Sequence, residues 1–422
     1  MAQTVLTRTP SGAGNRKTWT FSTWIKRAGL GNNIILEANS SGGSSNTNYI
    51  GANFGGGYQL VLGGWTSNFL ATTQFFRDVS AWYHIVIRVD TTQSTADDRM
   101  RIYVNGEQVT DFGTRNNPGQ NDDTGLNAAV ATTIGKTMDG YMAQTILADG
   151  QSLAPTSFGE TDSTTGIWKP KAFSGTYGTN GFKLDFKNSG ALGTDTSGNT
   201  NNFTVTNAGT NAQVVDTPTN NFATMNSIAN TTEAGGTFSE GNLKVVTNQA
   251  DYSYRPSSIG VSAGKWYCEV KAVSFGGGSD PYMIGITSTQ PTANSDELGH
   301  YANDWAYRED GKYRNNNSNT TWGNTYTSGD IIGIALDLTN SKLYFSKNGT
   351  WQESGDPTSG ASGTGAISIT AVGSTPLENY FFAIGDYDNS GGSTSTFQVN
   401  FGNPPFTISS GNADANGFGN FE

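Results

Sequence analysis

One cysteine, two histidines and little charge of either sign set the first limits on this 422-residue chain. With Cys268 alone, no intrachain disulfide can form, and His84 and His300 leave almost none of the common zinc sites. Charged residues make up 14% of the chain, against about 25% in ordinary domains. The balance, 24 Lys and Arg against 35 Asp and Glu, is a net −11 with no basic run, which excludes nucleic acid as the expected partner. No stretch approaches the roughly 18 apolar residues of a membrane helix, and MAQTVLTRTPSGAGN lacks the apolar centre of a secretory signal. The expectation is a chain made in a cytoplasm and not inserted in a membrane.

Helical periodicity is almost absent too, and what replaces it is turn chemistry. The chain holds 55 Gly with abundant Asn, Ser and Thr, yet keeps 11% aromatics, a combination that predicts folded, turn-dense β-structure rather than disorder. In 82–89, Tyr83, Ile85, Ile87 and Val89 alternate with Trp82, His84, Val86 and Arg88, as a strand with two different faces requires. Met100, Ile102 and Val104 continue the pattern, and Asn105-Gly106 supplies the positive φ angles of a tight hairpin. The phrase recurs: Ile332, Ile334, Leu336 and Leu338, a turn at Thr339-Asn340, Leu343 and Phe345, then Asn348-Gly349. Each half also opens on a Trp-centred strand, KTWTFSTWIKR at 17–27 and GKWYCEVKA at 264–272. The fold class expected is all-β: two tandem antiparallel sandwiches, 1–160 and 226–408, with a turn-rich segment, 161–225, docked on a sandwich. A boundary falls near Thr217-Pro218, and a polar tail, 409–422, carries Phe418 and Phe421 as anchors for a neighbouring subunit.

WTFSTWIKR, WYHIVIRVD with RMRIYVNGEQV, and IGKTMDGYMAQTILADGQSLAPTSFGE resemble the laminin-G-like, concanavalin A-like jelly rolls, and GTDTSGNTNNFTV at 193–205 resembles a loop of such domains. GKWYCEVKA, DIIGIALDLTNSKLYFSKNGTW and STFQVNFGNPPF resemble a SPRY domain. In this order the two resemble virion surface proteins of tailed bacteriophages, a class assembled inside a cell and working outside it. The resemblance implies a tail fibre, head appendage or decoration protein at the virion surface. Its partners would be other virion proteins and host surface polysaccharide, and it would be a homo-oligomer.

Catalytic patterns are thin. Glycosidases on this jelly roll place two carboxylates on one strand face; Glu160-Thr-Asp162 comes nearest, without a third acid and in a turn-rich stretch. His84 lies in a strand and His300 in a loop, so neither spacing builds a serine triad. Gly135-Lys136-Thr137 lacks the upstream glycine of a phosphate loop. The chain is therefore expected to be no enzyme and to need no cofactor. Calcium stays open, because Asp97, Asp98, Asp122, Asp123, Asp195 and Asn199 could offer loop oxygens, although turn formation explains all six.

The region 300–326, HYANDWAYREDGKYRNNNSNTTWGNTY, mixes Trp305, Tyr307, Tyr313 and Trp322 with Asn, Asp and Arg. Sugar recognition needs flat aromatic faces beside amides and carboxylates. Together with Asp386, Tyr387 and Asn389 of the loop 385–389, these residues form the candidate ligand surface. Against this stands a reading in which Trp305 and Trp322 fill the core, and another in which the loops are subunit interfaces. The alternatives to a virion protein are a free carbohydrate-binding adhesin and a concanavalin-type glycoside-active enzyme.

Overall fold

The computed structural model describes residues 3–39, 49–64, 68–209, 211–229, 236–247, 251–275, 282–289, 297–388 and 394–422. Among them there is no α-helix, only strands and single turns of 3-10 helix, and the chain divides into two compact units, Met1–Asn221 and Phe222–Glu422. No helix among the described residues is long and apolar enough to cross a membrane.

In the first unit, one sheet runs in the order Phe112–Arg115, Asn68–Phe75, Gln59–Gly63, Tyr49–Phe54, Asn33–Asn39, Ala131–Ile134, Val5–Arg8, Thr204–Thr206. The other runs Phe182–Leu184, Gly140–Asp149, Thr18–Arg27, Trp82–Asp90, Met100–Val104, Glu107–Gln108. Trp19, Phe21, Ile25, Ile85, Ile87, Val89, Met100 and Ile102 meet Ile35, Ile50, Phe54, Leu62 and Leu70 between the sheets. Each such side chain contributes about 1.5–3 kcal/mol by leaving water. The Asn105-Gly106 turn has φ of 49° and 89°, as the hairpin demands. Gly106 is doubly constrained, since a Cβ there would lie 2.8 Å from the Trp168 ring.

The turn-rich segment lends edge strands to both sheets: Phe182–Leu184 pairs with Gly140–Asp149, and Thr204–Thr206 with Val5–Arg8. It also covers the outer face of the second sheet, which is therefore not open to solvent. Phe173 and Tyr177 pack on the cluster of Val86, Tyr103, Ile146 and Phe158, and Trp168 packs on Trp24, Trp82 and Tyr141. Lys26, fully buried on that face, donates to Asp216 and Asn221 at 2.7 Å each, and Asp216 also accepts from the Trp82 indole at 2.9 Å. Burial lowers the Lys26 pKa and Asp216 opposes that fall.

The second unit repeats the plan. One sheet runs Thr237–Ser239, Lys244–Val246, Thr396–Asn400, Lys265–Ser274, Ile331–Asp337, Lys342–Lys347, Thr350–Trp351, with Ile367–Ser368 also on Lys342–Lys347. The other runs Asp251–Pro256, Phe381–Asp388, Tyr282–Thr287, Asp304–Arg308, Lys312–Asn315, Ser318–Thr321. Cys268, Val270, Ile332, Ile334, Leu343, Phe345, Ile284, Ile286 and Phe397 form the core, and Asn348-Gly349 turns with φ of 47° and 78°.

Candidate functional site

Strand parity decides what the aromatic region 300–326 does. In Asp304–Arg308 the odd positions point inward, so Trp305 and Tyr307 sit in the core at 4% and 0% exposure. Trp305 meets Tyr380 edge-on at 5.9 Å; Tyr307 is packed among Trp322, Tyr326 and Phe345, with its hydroxyl bonded to the Asn324 carbonyl. Neither ring offers a face to a sugar, and the expectation that they form a surface platform is corrected on that ground. Tyr313 and Trp322 are half-buried at the sheet's end, edge to face at 6.3 Å, with Trp322 resting on Phe345.

The loop residues divide. Asp386 is buried and accepts from the Thr247 hydroxyl at 2.6 Å, a structural role that removes it from a surface site. The side chain of Tyr387, and Asn389 altogether, lie outside the described residues.

The even positions of the same strands build something the sequence reading missed. The register pairs Ala306 with Arg314, and Arg314 with Asn319, so Arg308, Lys312, Arg314 and Asn319 share the outer face. The Asn319 side-chain oxygen accepts from Arg308 at 3.0 Å and from Arg314 at 3.1 Å. Arg314 also bonds Glu297 and Asn317, and Asp310 takes Lys312 at 2.8 Å and Arg308 at 3.3 Å. Beside them Tyr254, Met283, Leu298, Ala306 and Ala383 form a small apolar floor. Ser318–Thr321 closes the sheet as an edge strand exposed at all four residues. Among the described residues this corner thus presents the outward backbone edge of a strand, hydroxyls and an amide next to three cations and two carboxylates, with Trp322 and Tyr313 on the opposite, core-facing side of the sheet. Such a surface can hydrogen-bond a hydroxyl-rich or amide-rich partner, and its two carboxylates, Glu297 and Asp310, are each paired with a cation.

Further along that face lies a buried acid. Asp304 is fully enclosed, accepts from Thr287 at 2.7 Å, and burial pushes its carboxyl up to about 7. Thr287 in turn receives the Tyr254 hydroxyl.

In the first unit, the contact nearest to a catalytic pair has the wrong polarity. His84 Nδ1 accepts the Trp168 indole N–H at 2.9 Å, so its proton sits on Nε2 and is directed to Ser22 Oγ at 2.8 Å. A base for Ser22 would need a lone pair there. Trp24 stacks on the imidazole at 4.6 Å, and burial lowers its pKa to about 3. Glu160 and Asp162 both face Lys169, at 3.9 and 2.9 Å, and its ammonium holds Asp162 well below the usual carboxylate range. Lys136 of the Gly-Lys-Thr triplet pairs with Glu37 at 2.6 Å.

The calcium candidates are engaged within the protein. Asp97 pairs with Arg115, Asp98 with Arg101, and Asp123 with Arg16, while Asp122 caps the Gly119 amide. Asp195 accepts four bonds, from Lys183 N, Ser197 N, Ser197 Oγ and Asn201 N, and Asn199 donates to the Gly178 and Gly181 carbonyls. The GTDTSGNTNNFTV loop is thereby a hydrogen-bonded staple. Among the described residues no group of three or more His, Cys, Asp and Glu side chains could hold a metal.

Comparison with known proteins assigns both units. Residues 3–148 match the family model of the concanavalin A-like lectin/glucanases superfamily, in its laminin-G-like form, and residues 265–374 match the SPRY domain. The chain carries one domain of each kind, and its fold is two β-sandwiches in tandem. A dual specificity protein kinase, splA of Dictyostelium discoideum, is 32% identical over 76 residues, 18% of this chain and 3% of the kinase. The SPRY domain of human HERC1 is 16% identical, covering 39% of this chain and 91% of that one, with a TM-score of 0.31. Stonustoxin is also 16% identical over 42% of this chain and 27% of its own, with a TM-score of 0.30.

Proposed function

We propose that the chain is a non-enzymatic adhesive and structural component of a phage particle, displayed on its surface as a tail fibre, head appendage or decoration. The exposed corner at Ser318–Trp322 would bind host surface polysaccharide. The observation that carries the adhesive reading is that corner itself: a wholly exposed polar edge strand next to three cations and two carboxylates. Edge strands left open in this way are interaction sites unless charge or cover blunts them. The inverted Ser22–His84 contact and the cover over the first unit's outer sheet face support a role without bond breaking. The placement on a virion rests on the resemblance of the two domains, in this order, to tailed-phage surface proteins.

Antibody raised against the chain, applied to phage particles in negative stain, tests the placement. Gold on the particle surface is expected; bare particles beside labelled free protein would discard it. Saturation of the edge by another virion protein, rather than by sugar, would show as binding to disassembled particles that the variant Thr320→Lys abolishes.

A further inference from the structure

The outer face of the other sheet in the second unit holds a buried acid with a segment of the chain seated on it. Glu269, 1% exposed on Lys265–Ser274, accepts from the Tyr267 hydroxyl at 3.0 Å and the Asn400 amide at 2.9 Å. Its remaining lone pairs are taken by the backbone N–H of Glu422, at 3.0 and 3.2 Å to the two oxygens. Asn400 also donates to the Asn420 carbonyl at 2.8 Å, the Asn420 amide donates to the Gly402 carbonyl at 3.0 Å, and the Phe421 ring meets Tyr267 edge-on at 5.3 Å. Gly419 lies so close to Gly402 that an added Cβ would stand 3.3 Å from its Cα.

These are the contacts of a peptide in a recognition groove: main-chain donors and acceptors matched in alternation, one aromatic anchor, and a small residue where the backbones touch. The segment is also self-supporting. Asn412 and Phe421 exchange two backbone bonds of 2.8 Å, and Asp414 and Phe418 close the turn between them, so 410–422 is a hairpin with its own shape. Its tether is short and solvent-facing. Phe406 and Pro405 are fixed by Lys271 and Gln398, after which Thr407 and Ser409 are exposed before the hairpin begins.

We propose that the groove formed by Tyr267, Glu269, Asn400 and Gly402 is an assembly site for the 410–422 hairpin, filled by the same chain in isolation and by a second copy in the oligomer. Every copy carries both halves. Exchanging them replaces each internal contact by an identical one between subunits, so association costs little beyond the tether's freedom. Of the two anchors expected for a neighbouring subunit, Phe421 packs on Tyr267 of the same chain and Phe418 at the hairpin turn remains half exposed. The inference is independent of what the Ser318–Trp322 corner binds.

Two full-length variants test it. Phe421→Ala weakens the hairpin and leaves the groove intact; Glu269→Gln leaves the hairpin intact and puts an amide N–H where two N–H donors converge. Mixed, they are expected to form a one-to-one dimer by light scattering that neither forms alone. A labelled peptide spanning 410–422 should bind the Phe421→Ala chain about tenfold more tightly than the unmodified chain, whose groove is already filled. A monomeric mixture of folded variants would overturn the exchange. If Glu269→Gln does not fold, the peptide decides alone: failure to bind the folded Phe421→Ala chain overturns the groove.

Discussion

His84 and Asp304 are enclosed ionisable groups that respond to acid in opposite senses. Burial lowers His84 to about 3, so between that pH and its ordinary value near 6.5 the unfolded first unit binds the extra proton. Stability of that unit is complete above 6.5 and is lost as pH falls, by on the order of 5 kcal/mol at the lower limit. Asp304 is raised to about 7 from an ordinary value near 4, so there the native second unit holds the extra proton. Its stability is greatest below 4 and declines as pH rises to 7, by on the order of 4 kcal/mol. Asp304→Asn should gain stability relative to the unmodified chain across that interval, in chemical denaturation at each pH; a constant difference would contradict an enclosed carboxyl. Trp305→Ala and Tyr307→Ala should each cost the second unit about 3–5 kcal/mol, the price of an aromatic removed from a packed core. Asn319→Ala removes the acceptor shared by Arg308 and Arg314 and should cost the second unit about 1–3 kcal/mol, whereas Thr320→Lys on the exposed edge strand should change it by only about 0.5 kcal/mol.

Among the elements, the cover over the first unit's second sheet encloses one ion pair, Lys26 with Asp216. Asp216→Ala strands the Lys26 ammonium in a fully buried site and should cost about 3–5 kcal/mol, whereas Lys26→Met with Asp216→Leu should recover most of it. Equal losses in the single and double variants, measured by urea unfolding, would show that the charge pair is not enclosed. The strands Trp82–Asp90, Met100–Val104 and Lys342–Lys347 were readable from the chain because period-two alternation is local and the Asn-Gly turns after the last two carry their own φ requirement. The cover was not, because Lys26 and Asp216 are 190 residues apart and nothing in either neighbourhood names the other. The cationic corner escaped for a related reason. Arg308, Arg314 and Asn319 come together only through the register of three short strands, and the aromatic residues between them occupy the opposite parity. Counting parity from Tyr307 outward is the signal that would have placed Trp305 inside and Arg308 outside.

At the scale of the molecule, two units with separate cores predict two unfolding transitions in calorimetry, and Trp305→Ala should lower only the one belonging to the second. The two sandwiches were legible because each repeats a Trp-centred strand and an Asn-Gly hairpin. The ligand surface was legible only to the level of a region, since its residues are shared between core, edge and outer face. The most direct test of an adhesive, non-cleaving chain is one titration of bacterial surface polysaccharide with the unmodified protein, Asn319→Ala and Thr320→Lys, reading bound fraction and reducing ends together. Saturable binding by the unmodified protein is expected, weakened in both variants, with the melting temperature unchanged in Thr320→Lys, and with no rise in reducing ends. Binding untouched by either substitution, or release of reducing sugar, would contradict it.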